Sequence, residues 1–415
     1  MNTINIAQMS DLHYAPDTVE EVDRCFGHAV DGAISKHCDA AVISGDLFDR
    51  AVNLHDPSVA RLLSQVRRLA EHMPVLILQG TRSHDTPGSL NVFKTIGGWF
   101  PVHVADTIQQ VALTQDPVTE ECEWVVSSDW IFDAIPAHSQ VLISCLPSVN
   151  KGAVAAAVGA KDAAEAVGDY VADLLAGWST SHCIARDASI PTVLVSHGTV
   201  SGCLTEHGVP MAGLDHEYTT GSLFVAEASA VMLGHIHQHQ SWEHEGRRIA
   251  YPGSIGRLHF GELQDKGYLV WTVGAASAEF EFNTTPAKQL VQIEFNGSPD
   301  MEVLRQEVAK AAGAHVRIRY QIDEDKRHTV DRKAIEALFA SAEQVKVEGR
   351  INPIERRRSE GMNEAHSLAD KLKKWGEASD TDTSALMSRL ALLQQKTPEE
   401  IVAKVVDKLS GKSAA

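Results

Sequence analysis

Five short clusters of aspartate and histidine carry the chemistry legible in this chain. They are Asp11-Leu12-His13, Gly45-Asp46-Leu47-Phe48-Asp49, His84-Asp85, His197-Gly198 and Gly234-His235-Ile236-His237, each just past an apolar, strand-like run. Carboxylate oxygens and imidazole nitrogens in that order describe a site for two divalent cations, and such sites do hydrolytic phosphate chemistry. Asp11 and His13 are two apart, so an extended loop turns both to one face, and His235 and His237 share that spacing. Asp46 stands nearest its strand end and is the expected bridging carboxylate, with Gly45 permitting the turn. Asp49 either ligates or braces a neighbouring ligand. A lone Asp or His at a strand end is ordinarily a turn or cap residue. Five clusters at successive strand ends are poorly explained that way. The isolated His28, His55, His72, His207 and His244 are assigned to no site.

Hydrophobic periodicity outlines the elements that must position these residues. Ile4 to Met9 reads as a buried strand ending at Asp11. Thr18 and Glu21 form a candidate capping box, and Val19, Val22, Phe26, Ala29, Val30 and Ala33 recur at helical spacing. Ala40 to Ser44 is a short strand delivering Asp46. Asp56-Pro57 suits the N-cap and first turn of a helix whose apolar face is Val59, Leu62, Leu63, Val66 and Ala70. Val75 to Leu78 is a third strand running into Gly80. Two successive β-α-β units imply a parallel sheet, with ligands at its strand C-termini.

Strands and turns follow from Thr107 to Leu146, then an Ala-rich helix over roughly Ala153 to Ala176. Val193 to Val195 delivers His197, and Val231 to Leu233 delivers the last cluster. Tyr268 to Val273 and Phe280 to Phe282 are expected to close a second layer, ending a metal-bearing domain over residues 1–285. A small α/β module over 286–350 comprises strands at Leu290–Phe295, Val316–Ile322 and Val345–Val347 and helices at Met301–Ala312 and Asp331–Ala340. Residues 351–415 hold Arg356 to Arg358 and short amphipathic helices near Ser367–Trp375, Ser384–Gln394 and Pro398–Leu409. Such helices rarely fold alone, so docking on the body or a partner is expected.

At 415 residues the chain is long enough for two or three domains. A net charge of −18 argues against nucleic-acid binding through overall charge, though a local basic path is compatible with it. The six scattered cysteines show no C-x-x-C pair, which fits reduced thiols in a cytoplasmic protein. No apolar run approaches the ~18 residues of a membrane span. Strand-like sequence begins at Ile4 without a basic leader, so no signal peptide is expected. No Walker motif or tandem repeat occurs.

The cluster order resembles the calcineurin-like metallophosphoesterase superfamily. More narrowly, Gly45-Asp46-Leu47-Phe48-Asp49, Tyr251-Pro252-Gly253-Ser254 and Phe260-Gly261-Glu262 resemble the DNA-repair nuclease subunit of SbcCD-type complexes. The resemblance implies an α/β fold, a two-layered β-sandwich core flanked by helices, with a small α/β capping domain and C-terminal helices. It implies two divalent ions, Mn2+ first and Mg2+ second. Asp11, His13, Asp46 and His237 would hold one, and Asp46, His197 and His235 the other. His84 would stand as the leaving-group histidine with Asp85 behind it. The chain departs from the family turn G-N-H-D. It reads Gly80-Thr81-Arg82-Ser83-His84-Asp85, two residues longer and without the ligating Asn. Ser83 is the candidate oxygen in its place; a water filling the position or a loosely held second ion are the alternatives.

A paired-ion site acidifies water and neutralises charge growing on the phosphoryl oxygens, giving in-line phosphodiester hydrolysis. His84 is expected either to protonate the departing oxygen or to hydrogen-bond the phosphate. Candidates for contacts to a DNA backbone are Arg82, Arg257, His259, Arg317, Arg319 and Arg356 to Arg358; each is otherwise a solvated surface charge, Arg82 excepted because it lies in the metal-site turn. The resemblance further implies duplex DNA ends as substrate, a coiled-coil SMC-like ATPase docked on the C-terminal helices, and a homodimer. Two other functions fit the same residues. One is a small-molecule phosphoesterase, which needs no cap or basic tail. The other is a metal-poor scaffold that recruits an ATPase to DNA, suggested by the altered Gly80–Asp85 turn.

Overall fold

The computed structural model describes residues 2–53, 55–148, 163–205, 217–353 and 364–409. His207, Arg356 to Arg358 and the first ten residues of the expected Ala-rich helix lie outside the described residues. The chain divides into two compact units. One is Met1–Glu294 with Met301–Ile318 and Arg332–Glu348; the other is Phe295–Asp300, Arg319–Asp331 and Gly349–Ala415.

The first unit is a two-layered sandwich. One sheet has the order β15-β14-β1-β2-β3-β4, formed by Ala278–Thr284, Gly267–Gly274, Thr3–Met9, Ala40–Ile43, Val75–Leu78 and Val102–Ala105. Strands β1 to β4 run parallel. The crossover helices α1 (Val19–Ser35) and α2 (Pro57–Ala70) bury Val22, Phe26, Val30, Leu62 and Val66 on one face of this sheet. The second sheet has the order β12-β13-β11-β8-β7-β5-β6, from Gln240–His244, Arg247–Tyr251, Ala230–Gly234, Thr192–His197, Ser139–Leu146, Gln109–Gln115 and Cys122–Val126. Its β7, β8, β11 and β13 are parallel. Helix α3 (Ala163–Asp187) buries Leu174, Leu175 and Trp178 in the cluster that covers this second sheet. Between β8 and β11 the chain forms a short parallel pair, β9 (Thr199–Val200) and β10 (Glu217–Tyr218), and then helix α4 (Thr220–Val225).

Ile6, Val42, Leu76, Ile143, Val195, Met232 and Trp271 form the core between the sheets. Beneath the strand ends one polar residue ties the layers together. Buried Gln8 donates from Nε2 to the Leu233 carbonyl at 2.9 Å and to Ser44 Oγ at 3.1 Å, and accepts from Trp271 Nε1 at 2.9 Å. With every polar atom of the amide engaged, its burial is tolerated and the register of the two sheets is fixed.

Three expectations change. Strands β14 and β15 belong to the first sheet, with β14 antiparallel to β1, and do not close the second layer. Leu269, Trp271 and Val273 face the inter-sheet core while Tyr268 packs with α1, so β14 is buried on both faces and its pattern does not name its sheet. The capping box at Thr18 is absent, because Thr18 Oγ1 donates to the Ala15 carbonyl and Glu21 accepts from the Lys288 amide. Helix α3 continues past Ala176 to Asp187, since Trp178, His182 and Ala185 still have the sheet to pack on. The cap at Asp56 is present, its carboxylate accepting the Ser58 amide at 2.9 Å.

A separate three-stranded sheet has the order β16-β17-β18, from Leu290–Asn296, His315–Asp323 and Gln344–Asn352. Val316, Ile318, Tyr320 and Ile322 are its buried face. Helices α5 (Met301–Glu307) and α6 (Arg332–Leu338) lie between its strands in sequence. In the second unit, α7 (Leu368–Ser379), α8 (Ser384–Gln395) and α9 (Pro398–Leu409) follow, with Leu393, Val402, Val405 and Val406 exposed.

Candidate metal centre

The parallel strands of both sheets end on the same side, so the loops after β1, β2, β3, β8 and β11 converge. Asp11 follows β1, Asp46 follows β2, Thr81 follows β3, His197 ends β8 and His235 follows β11. Asp11, His13 and Asp46 adopt positive φ of 52°, 51° and 53°, and His235 adopts 102°. A non-glycine residue held there costs of order 1–3 kcal/mol and clusters at functional sites. Cross-loop bonds hold the strain. The Asp11 amide donates to the Gly45 carbonyl (3.1 Å), His13 to Asp46 (3.0 Å), and the His235 amide to Asp11 Oδ1 and Oδ2 at 3.0 and 3.1 Å. Gly45 has a φ of 100°, and a Cβ there would lie 2.3 Å from His197 Nδ1, so only glycine admits that ring.

Among the described residues four groups of possible donors result: Asp11, His13 and His237; Asp46, His197 and His235; His13, Asp49 and His84; and His237, His259 and Glu262. Asp46, a member of the second, also lies against the first. Its Oδ2 lies 3.2 Å from His197 Nε2 and 3.9 Å from His13 Nε2. The arrangement fits divalent cations by its donors. His13 Nε2 and His237 Nε2 approach to 3.1 Å, and among the described residues buried His13 Nδ1 has no hydrogen-bond partner. Nδ1 of His197 lies 2.8 Å from the Ser44 carbonyl and that of His237 lies 2.9 Å from Glu262 Oε1. Each Nδ1–H donates there, so Nε2 is the ring atom left to face a cation. Burial opposes ionisation of Asp46, but the imidazoles of His197, His13 and His84 hold its carboxyl well below the usual range. Burial likewise opposes a charged His197, yet Asp46 raises it to about 10. Asp46 thus stays ionised and contributes a negative charge to the pocket.

Three residues outside the predicted set complete the site. Buried Glu262 orients His237 and also accepts the Leu258 amide at 2.7 Å. Buried Lys266 lies 3.3 Å from Glu262 Oε2 and donates to the His237 carbonyl and Ser254 Oγ, each at 2.8 Å. Although burial opposes it, His237 and Lys266 bring the Glu262 carboxyl down to about 2. Thr81 donates its amide to Asp46 Oδ1 at 2.6 Å, with its hydroxyl 3.3 Å from both Asp46 Oδ2 and His197 Nε2. Glu262 closes the Phe260-Gly261-Glu262 stretch, and Thr81 follows Gly80, two residues past the end of β3.

The other expected residues are placed as follows. His84 is half-buried, its Nδ1 2.5 Å from the Asp49 carbonyl and its ring edge-on to His13 at 4.8 Å. Asp49 Oδ1 lies 3.6 Å from His13 Nδ1, an ion-pair distance beyond hydrogen-bond reach. Asp85 faces the backbone rather than His84. Its Oδ1 accepts the Leu47 and Phe48 amides at 3.0 and 3.3 Å and its Oδ2 the Gly80 amide at 3.0 Å. Burial, and then the Asp46 charge, push its carboxyl up to about 7 against the pull of those amides. Ser83 and Arg82 are exposed, and the hydroxyl that meets the cluster is that of Thr81. Arg257 is buried with its guanidinium within hydrogen-bond reach of the carbonyls of Glu262, Leu263, Gln264, Ala287 and Lys288, so it organises this loop rather than facing a substrate. Arg317 pairs with Glu348 at 2.8 Å and stacks over Phe260 at 5.4 Å. Arg319 is exposed on β17. His259 Nε2 lies 3.4 Å from Glu262 Oε1.

No family profile matches the chain. It is 25% identical over 258 residues to an uncharacterized metallophosphoesterase, YhaO, of Bacillus subtilis, covering 61% of this chain and 50% of that protein. It is also 25% identical over 271 residues to the DNA double-strand break repair protein Mre11 of Archaeoglobus fulgidus, covering 62% and 52%. A dimetal phosphatase from Danio rerio aligns with a TM-score of 0.39 at 9% identity, over 67% of this chain and 98% of that one. The match spans about half the length of each sequence relative. The two relatives support assignment to the metallophosphoesterase superfamily. Among the described residues no helix is long and apolar enough to cross a membrane.

Proposed function

We propose that the chain is a divalent-metal-dependent phosphodiesterase that hydrolyses DNA, the nuclease component of an end-processing complex. The observation that carries this reading is the convergence of Asp11, His13 and His237 with Asp46, His197 and His235 around a shared carboxylate. When bound there, two divalent ions supply Lewis acidity and acidify a water. The chain's own residues do the rest. Glu262 and the Ser44 carbonyl fix the His237 and His197 tautomers, and Asp85 pins the turn that brings Thr81 to Asp46. With Nδ1 of His84 bound to the Asp49 carbonyl, its Nε2 is the atom that hydrogen-bonds or protonates the departing oxygen.

Mn2+ as the physiological ion, a capping role for residues 286–350, a homodimer, and an SMC-like ATPase on the C-terminal helices belong to the same proposal. They rest on the sequence resemblance and on the DNA-repair relative. The exposed Leu393, Val402, Val405 and Val406 suit such a partner. A second reading, a small-molecule phosphoesterase, is favoured by Arg257 being engaged with carbonyls.

One assay separates these readings. The purified chain with Mn2+ is offered linear duplex DNA, single-stranded DNA and bis-p-nitrophenyl phosphate, with Asp46→Asn as control. DNA cleavage lost in the control supports the nuclease. Turnover of the chromogenic ester alone supports the small-substrate enzyme, and turnover of neither defeats both and leaves a scaffold.

A further inference from the structure

We infer that the Thr81 hydroxyl is a direct oxygen donor to the ion held by Asp46, His197 and His235, an inference that rests on the two-ion reading above. Three atoms form the face that meets the ion. Thr81 Oγ1 lies 3.3 Å from Asp46 Oδ2 and 3.3 Å from His197 Nε2, and the latter two are 3.2 Å apart. Oxygen and nitrogen donors bind small divalent ions at about 2.0–2.2 Å, so neighbours in one coordination shell lie roughly 2.9–3.5 Å apart. All three edges fall within that span, and the triangle has the dimensions of one face of a coordination polyhedron.

The turn is also built to keep the hydroxyl in place. The Thr81 amide donates to Asp46 Oδ1 at 2.6 Å, so the backbone is anchored to the same carboxylate. A Cβ on Gly80 would lie 2.2 Å from the Asp46 amide nitrogen, so only glycine admits this approach. Asp85 holds the Gly80 amide from behind at 3.0 Å. The β-branched threonine has few χ1 states, which limits escape of the hydroxyl. A neutral hydroxyl in a shell with one shared carboxylate and two imidazoles makes this the weaker of the two ion sites. The other has Asp11 as a carboxylate of its own.

The test is titration of the intact chain with Mn2+, read by calorimetry and by loss of the free-ion electron paramagnetic resonance signal. The unaltered chain is expected to take two ions in two steps. Thr81→Val lowers the affinity of the weaker step ten- to a hundredfold and leaves the tighter step within a few-fold. Thr81→Ser retains both steps, and so does Ser83→Ala. If Thr81→Val fails to fold, Thr81→Ala compared with Thr81→Ser makes the same distinction. Two full-affinity steps in a variant lacking the hydroxyl overturn the inference and spare the two-ion reading, as does loss of the weak step in Ser83→Ala alone. Fewer than two ions on the unaltered chain overturn both.

Discussion

Glu262 is the most informative single perturbation, because one side chain links fold stability to ion affinity. Glu262 and Lys266 are 0% and 1% exposed in their side chains, and their charges lie 3.3 Å apart. Replacing Glu262 with glutamine keeps the shape and an acceptor for the Leu258 amide but leaves the ammonium buried without its counter-charge. Removing one partner of a buried pair costs roughly 3–5 kcal/mol. The carboxylate also fixes His237 through a 2.9 Å bond, and loss of such an outer-shell partner lowers metal affinity about 10–100-fold. Glu262→Gln is therefore expected to lose several kcal/mol in urea unfolding and to bind Mn2+ one to two orders of magnitude more weakly in the Asp11–His13–His237 group. Combining it with Lys266→Met removes the stranded charge. The double variant should recover much of the stability while its Mn2+ affinity stays low. Recovery of both together would refute the division of labour, and an unchanged Mn2+ isotherm in Glu262→Gln would refute the orienting role itself.

Three further outcomes follow from the same geometry. His84→Asn is expected to preserve Mn2+ and DNA binding while kcat falls by roughly 10²–10⁴ in steady-state cleavage, the range of a general-acid contribution. His182, buried between Ser144 Oγ at 2.9 Å and the Ala226 carbonyl at 2.7 Å, is held down to about 4 by burial. The unfolded chain takes up that proton near pH 6.5 and the folded chain does not. Stability present above pH 6.5 is thus lost as pH falls toward 4, by about 2 kcal/mol at pH 5, and His182→Gln should flatten this slope in denaturation curves. Arg257→Met should cost about 2–4 kcal/mol by stranding buried carbonyls yet leave the salt slope of DNA binding unchanged, whereas Arg82→Ala should reduce that slope by about one.

Much of the α/β fold is legible in the sequence because burial dictates its periods. The apolar strands at Ile4–Met9, Ala40–Ile43 and Val75–Leu78 and the stripes of α1 and α2 can have few other roles. The ligand clusters stand out for a related reason, since each sits where a buried strand must turn, often beside glycine. What escapes local reading depends on partners distant in sequence. Thr81 matters only because Asp46, 35 residues away, folds against it, and Lys266 only because Glu262 and His237 close around it. Arg257 resembles a surface cation until its five carbonyl neighbours are assembled, and Glu21 resembles a cap until Lys288 claims its carboxylate. The sheet membership of β14 is equally invisible, because both of its faces are apolar.

Crystals of the intact chain grown with Mn2+ and measured at the manganese absorption edge test the central claim most directly. Two anomalous peaks are expected, one among Asp11, His13 and His237 and one among Asp46, His197 and His235, with Asp46 touching both. A single peak, or peaks elsewhere on the surface, would contradict the binuclear centre on which the hydrolytic reading depends.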